Sequence, residues 1–131
     1  MKAHLLKTGK TGIIRIKNLK LRAIVGINPD ERVNKQDVIV NVSINADLCK
    51  AITTDTETST CNYRSITKKI IEHVEHSEFY LLEKLADSIL QIVLQDPLVL
   101  NATVEVDKPH ALRFSDSVSI ELSAVAGDRS L

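Results

Sequence analysis

The chain has 131 residues, 17 Lys+Arg against 17 Asp+Glu, 44% apolar and 26% charged residues. That fits one globular domain, large enough to need no disulfide or metal staple, and it lacks the basic excess of a nucleic-acid binder. Tyr63, Phe79, Tyr80 and Phe114 are too few to make a stacking platform for single strands, and no apolar run approaches a membrane span.

Residues 1–12 are Lys-rich but have no apolar h-region, so they do not read as a signal peptide. Residues 1–11 are expected to be a loose leader and 126–131 a frayed tail, around a single domain whose core spans about 13–124. Ile14 and Ile16 alternate with polar residues as in a strand. The apolar phase then moves to Leu19, Leu21, Ala23 and Val25, which predicts a β-bulge near Lys17-Asn18. Gly26 to Asn34, with Asn-Pro-Asp inside, reads as a turn or loop. Val38, Val40, Val42, Ile44 and Ala46 alternate as a second strand, and a Thr/Asp/Ser-rich loop follows over Thr53–Thr60.

Asn62 is a fitting N-cap for a helix running to about Glu75, striped by Ile66, Ile70, Ile71 and Val74. Ser77 is expected to open a second helix, striped by Leu81, Leu82, Leu85, Ala86, Ile89, Leu90 and Val93 and ended by Asp96-Pro97. Leu98, Leu100, Ala102, Val104 and Val106 predict a third strand that stops at Pro109; Val118, Ile120, Leu122 and Ala124 predict a fourth. The order is ββααββ: an antiparallel four-stranded sheet with two helices on one face. Such a sheet has two long open edges, so self-association is a physical expectation.

Cys49 and Cys61 are too far apart for a C-x-x-C motif and read as free thiols of a reducing cytoplasm. His73-x-x-His76, between Glu72 and Glu75, can set two imidazoles on one helix face; an ordinary solvated face explains the same residues, and no metal site is assigned. Tyr63 is either a packing residue or a phenol at a helix N-terminus. Glu83 is either a solvated first-turn acid or an acceptor for the parallel N–H donors of a guanidine-like ring edge. Lys108 is either an edge-protecting lysine or a proton-transfer amine, and Glu31 a loop acid or its partner. Taken singly, none of them decides a function.

As a set they resemble a known family. Gly26-Ile27-x-x-x-Glu31-Arg32-x-x-x-Gln36, Asn62-Tyr63-Arg64, Leu81-Leu82-Glu83-Lys84-Leu85-Ala86 and Val106-Asp107-Lys108-Pro109 occur in the order and spacing of the dihydroneopterin aldolase family, from about Ile13 to Ser123. Lys108-Pro109-His110-Ala111-Leu112-Arg113 is similar to the Lys-x-His-Ala-Leu-Arg signature of the family's 2′-epimerase branch; plain aldolases more often carry a small residue where His110 stands, whereas Pro109 is aldolase-like.

The resemblance implies a tunnelling fold (T-fold), in which four subunits join their sheets into a barrel and two rings stack as a homo-octamer with sites at subunit interfaces. It implies a small-molecule pterin substrate and no cofactor. Catalytic roles fall to Lys108, Tyr63, Glu31 and His110; Glu83 and the backbone near Leu82 would hold the pterin; Arg113, Arg64 and then Lys35 are the cations available for a triphosphate. The implied reaction inverts C2′ of 7,8-dihydroneopterin triphosphate to the dihydromonapterin form. The alternatives are the aldolase reaction, giving 6-hydroxymethyl-7,8-dihydropterin and glycolaldehyde, and a non-catalytic pterin-binding module.

Overall fold

The computed structural model describes residues 9–128. Strand β1 (Thr11–Val25) is followed by a short helix α1 (Pro29–Val33) and strand β2 (Gln36–Asp47). Helix α2 (Cys49–Thr54) and a 3-10 turn (Glu57–Ser59) lead to helix α3 (Tyr63–Glu75). A two-residue strand β3 (Glu78–Phe79) precedes helix α4 (Leu82–Leu94). Strands β4 (Val99–Pro109) and β5 (Ser117–Val125) complete the sheet.

The sheet order is β3-β1-β2-β4-β5. The four long strands are antiparallel to their neighbours, as the ββααββ reading predicts. Strand β3 is an addition: Ile24 and Val25 pair in parallel with Glu78 and Phe79. Elsewhere the outer edge of β1, like that of β5, pairs with no strand among the described residues.

The predicted bulge is present. The β1–β2 register jumps between Ile16 and Leu19, Asn18 adopts φ 53°, and its N–H donates to Asn41 Oδ1 at 2.8 Å. An extra residue on one strand reverses which parity faces the core. Leu21, Ala23 and Val25 therefore join Val38, Val40, Val42 and Ile44 on the buried face. Ile66, Ile70 and Val74 of α3, with Leu85, Ala86, Ile89, Leu90, Val93 and Leu94 of α4, cover that face. Each fully buried Ile or Leu there contributes roughly 1.5–3 kcal/mol.

The opposite face is polar. Asn41 pairs with Glu105 and Glu105 with Glu121; Ser43 pairs with Thr103, whose hydroxyl meets that of Ser123 at 2.8 Å; Ser119 lies across from Asp107.

Several boundaries differ from the sequence expectation. The segment 26–34 contains α1, because Pro29 suits a first helical turn and the Glu31 carboxylate accepts from the Asn28 N–H at 3.2 Å. The segment 53–60 contains the end of α2 and a 3-10 turn. Ser77 closes a helix rather than opening one: its hydroxyl donates to the Val74 carbonyl at 2.7 Å. Leu81 is then the half-exposed N-cap of α4, outside its apolar stripe. On β4, Val99 is buried and Leu100 is exposed, the reverse of the alternation expected, because the β2–β4 register slips between Asn45 and Ala46. Thr11 already pairs with Asp47, and Ala126–Asp128 form a 3-10 turn. The expectations for residues 1–8 and 129–131 lie outside the described residues. Among the described residues, no helix is long and apolar enough to cross a membrane.

Candidate active site

One cluster is built around α1 and the end of β4. Lys108 Nζ donates to Glu31 Oε2 at 2.5 Å, bringing together residues 77 apart in sequence. Their side chains are 13% and 20% exposed, so water screens the pair only weakly. Gln36 Nε2 donates to the same oxygen at 3.0 Å and to the Val25 carbonyl at 3.0 Å. The Lys108 ammonium above all, helped by the Gln36 amide and the Asn28 N–H, brings the Glu31 carboxyl down from 4.5 to about 2, against the opposing effect of burial.

Gly26 makes room for this carboxylate. Its φ is +139°, and a Cβ there would lie 2.2 Å from Glu31 Oε1. Arg32 ties α1 to the strap before α4: Nη1 donates to the Gly26 and Phe79 carbonyls at 3.0 and 3.1 Å, Nη2 donates to Glu78 O at 2.8 Å, and the guanidinium stands 3.8 Å over the Tyr80 ring. Leu82 and Glu83 start α4 just past Tyr80. Glu83 is exposed in the first helical turn, at the same end of the sheet as Glu31 and Lys108. Lys35 is also at this end, with Nζ donating to the Glu75 carbonyl at 2.9 Å.

Tyr63 and Arg64 are elsewhere. They begin α3, capped by Asn62, whose side chain accepts from the Ser65 N–H at 3.0 Å. Tyr63 is 47% exposed. Its helix runs 13 residues to Glu75, which places the phenol about 18 Å of helix away from the Lys108–Glu31 end. The structure thus joins Glu31 to Lys108, sets Glu83 in the first turn of α4 just past the segment that Arg32 holds, and leaves Tyr63 and Arg64 at the far end of α3.

His110 and Arg113 lie on the turn after β4. His110 has φ 62°, a conformation that costs a non-glycine residue about 1–2 kcal/mol. Its N–H donates to the Asp116 carbonyl at 3.0 Å. Arg113 stands 5.7 Å over the Phe114 ring, itself fully exposed. On β4 itself, Asp107 Oδ1 is buried with no hydrogen-bond partner among the described residues.

His73 and His76 do not converge. His73 Nε2 meets Ser88 Oγ at 2.8 Å and His76 Nδ1 meets the Glu72 carbonyl at 2.8 Å. Burial pushes the His73 imidazole below its ordinary pKa. Cys49 and Cys61 are free thiols, and burial, seconded by Asp96, raises Cys61 to about 11.

Three residues of this cluster were in the sequence motif without an assigned role: Gly26, Arg32 and Gln36. The Asn28-x-x-Glu31 capping-box spacing was the available signal that 26–34 folds tightly.

A family model described as dihydroneopterin aldolase matches residues 14–123. The chain belongs to the dihydroneopterin aldolase family. It is 49% identical over 110 residues to a dihydroneopterin triphosphate 2′-epimerase of Pseudomonas aeruginosa, covering 84% of this chain and 89% of that protein. It is 50% identical over 111 residues to the dihydroneopterin triphosphate 2′-epimerase of Escherichia coli (strain K12), covering 85% and 92%. Among solved structures, Escherichia coli dihydroneopterin aldolase in complex with neopterin superposes with a TM-score of 0.81 at 21% identity, over 86% of this chain and 98% of that one. The fold is that of this aldolase, an α+β T-fold subunit.

Proposed function

We propose that this chain inverts C2′ of 7,8-dihydroneopterin triphosphate, giving 7,8-dihydromonapterin triphosphate, by retro-aldol cleavage and re-addition. The Lys108–Glu31 pair carries the reaction type: a nearly buried amine, fixed on a carboxylate, at the end of a strand. Identity of about half to two 2′-epimerases, against about a fifth to the superposed aldolase, supports epimerisation over release.

In the dihydropterin, the carbon bearing the side chain is part of an imine. Loss of the 2′-hydroxyl proton lets the C1′–C2′ bond break, and its electrons move through C1′ to the ring nitrogen, which gains a proton. The pterin is its own electron sink. Lys108 and Tyr63 exchange these two protons, while Glu31 fixes the amine and supplies its countercharge. Glu83 accepts from the amino and ring N–H edge, with the Leu82 backbone beside it. If the aldehyde turns and re-adds through its other face, C2′ is inverted. If it leaves, the products are a hydroxymethyldihydropterin and an aldehyde, the aldolase reading that Lys108-Pro109 favours.

Tyr63 reaches this chemistry only from a second copy. Its distance from Lys108 along α3 and the open edges of β1 and β5 support a homo-oligomer, with the sheets closing into a barrel and two tetramers stacking as an octamer. Arg113 of one copy and Arg64 of the next are the cations proposed at the mouth. The working compartment proposed is the cytoplasm, and no metal or cofactor enters the scheme.

The test is to incubate the protein with dihydroneopterin and with its triphosphate, oxidise the pterins and separate them. Monapterin is the expected product. Hydroxymethylpterin alone would establish the aldolase, and neither product a binding module.

A further inference from the structure

The open face of the sheet carries a groove of about 410 Å3 at the same end as Lys108, lined by Lys20 and Arg22 of β1, Asp37 and Ile39 of β2, and Pro109 and His110. Its volume falls within the range of small-ligand sites, roughly 300–1,000 Å3. From the groove, resting on the epimerase reading above, we propose that Lys20 and His110, with Arg22 beside them, bind the phosphate chain of the substrate and make the enzyme selective for a phosphorylated pterin.

Three observations support this. The pleat separates the two chemistries: Lys108 shares the parity of buried Val104 and Val106, while Pro109 faces the open side. A polyanion belongs on that open side, since burying it under the helices would strip its water without enough cations to replace it. The groove opens just past the end of β4, so a side chain held at Lys108 passes round the end of the sheet rather than through it.

The cations are also arranged for it. Arg22 is held in place, Nη1 donating to Asp37 Oδ1 at 2.7 Å and Nη2 to the Lys35 carbonyl at 2.9 Å, and its remaining N–H groups are free to donate. Asp37 is paired with Arg22, and among the described residues Lys20 has no ion-pair partner, which leaves the lining with one positive charge in excess. The third feature is His110. A side chain is kept at φ 62°, where glycine would sit without strain, and it lies on the groove wall. Backbone strain of this kind is characteristic of ligand clamps.

The test uses the full chain and two measurements. Inorganic tripolyphosphate is titrated calorimetrically into wild type, Lys20→Ala, Lys20→Arg, His110→Gly and the remote control Lys50→Ala. Lys20→Ala and His110→Gly are each expected to weaken binding about tenfold, as loss of one charge-assisted contact does, with Lys20→Arg and Lys50→Ala near wild type. The kcat/KM ratio for dihydroneopterin triphosphate over dihydroneopterin is expected to fall about tenfold in the same two variants. His110→Gly removes the side chain at a backbone position glycine prefers, so misfolding will not mimic the result. Unchanged tripolyphosphate affinity in Lys20→Ala and His110→Gly overturns the proposal, as does an equal loss in Lys50→Ala. So does an unchanged substrate ratio, since the groove would then hold free anions but not the substrate's. If wild type turns over neither pterin, the epimerase reading fails on its own, and the titration still decides the groove.

Discussion

The two ends of α3 are finished to different degrees. At the Glu75 end, one chain supplies everything: Glu31 holds three donors, Arg32 straps α1 to the segment before α4, and Lys35 ties down the helix C-terminus. At the Tyr63 end, Asn62 satisfies the helix backbone, and the phenol and Arg64 are left to solvent. That contrast is what the proposed site, divided between two copies, requires of each one.

Lys108→Ala tests the finished end most severely: kcat should fall roughly 10³-fold, within the range for loss of a general acid–base group, while pterin binding persists. A loss of binding with kcat intact would assign the lysine to recognition instead. The acid limb comes next. Glu31 has its pKa depressed in the folded state, so its stabilisation is present above pH 4.5 and is lost as pH falls toward about 2. That loss is on the order of 3 kcal/mol, and it should appear as the difference between wild type and Glu31→Gln in urea melts across that window.

The bare end has its own test. Tyr63→Phe should lower kcat about 10²-fold, and subunits of Tyr63→Phe and Lys108→Ala, unfolded together and refolded, should regain activity in about a quarter of their sites, because some interfaces then hold both native residues. Failure to complement would place both residues in one chain's site. Gly26→Ala should cost about 2 kcal/mol through its positive φ and its collision with the Glu31 carboxylate, read as a lowered thermal midpoint. The smallest effect expected is Arg32→Gln, about 1 kcal/mol of stability with a raised KM for the pterin, since the strap would loosen while Glu31 and Lys108 keep each other.

Much of this was legible in the sequence where a local rule governs the outcome. Parity change at Lys17-Asn18 announced the bulge, and Asn62 announced the start of α3. The four motif segments carried Glu31, Tyr63, Glu83 and Lys108 together. What the sequence hid depends on partners distant along the chain. Leu100 looks like an inward residue until β2 slips by one against β4, and Ser77 looks like a cap until Val25 recruits Phe79 as a strand. Nor does any periodicity reveal that Gln36 and Gly26 shape the seat of Glu31, or that Tyr63 sits a helix length from the lysine it accompanies in the motif.

The bulge in β1 also limits which length changes this gene tolerates. Removing Asn18 would cancel the two-against-one step and turn either Ile14 and Ile16, or Leu21, Ala23 and Val25, out toward water. A one-codon deletion there would cost the domain far more than one in the exposed stretch around Asp55–Glu57, so drift in length among relatives should collect in that stretch and spare the first strand.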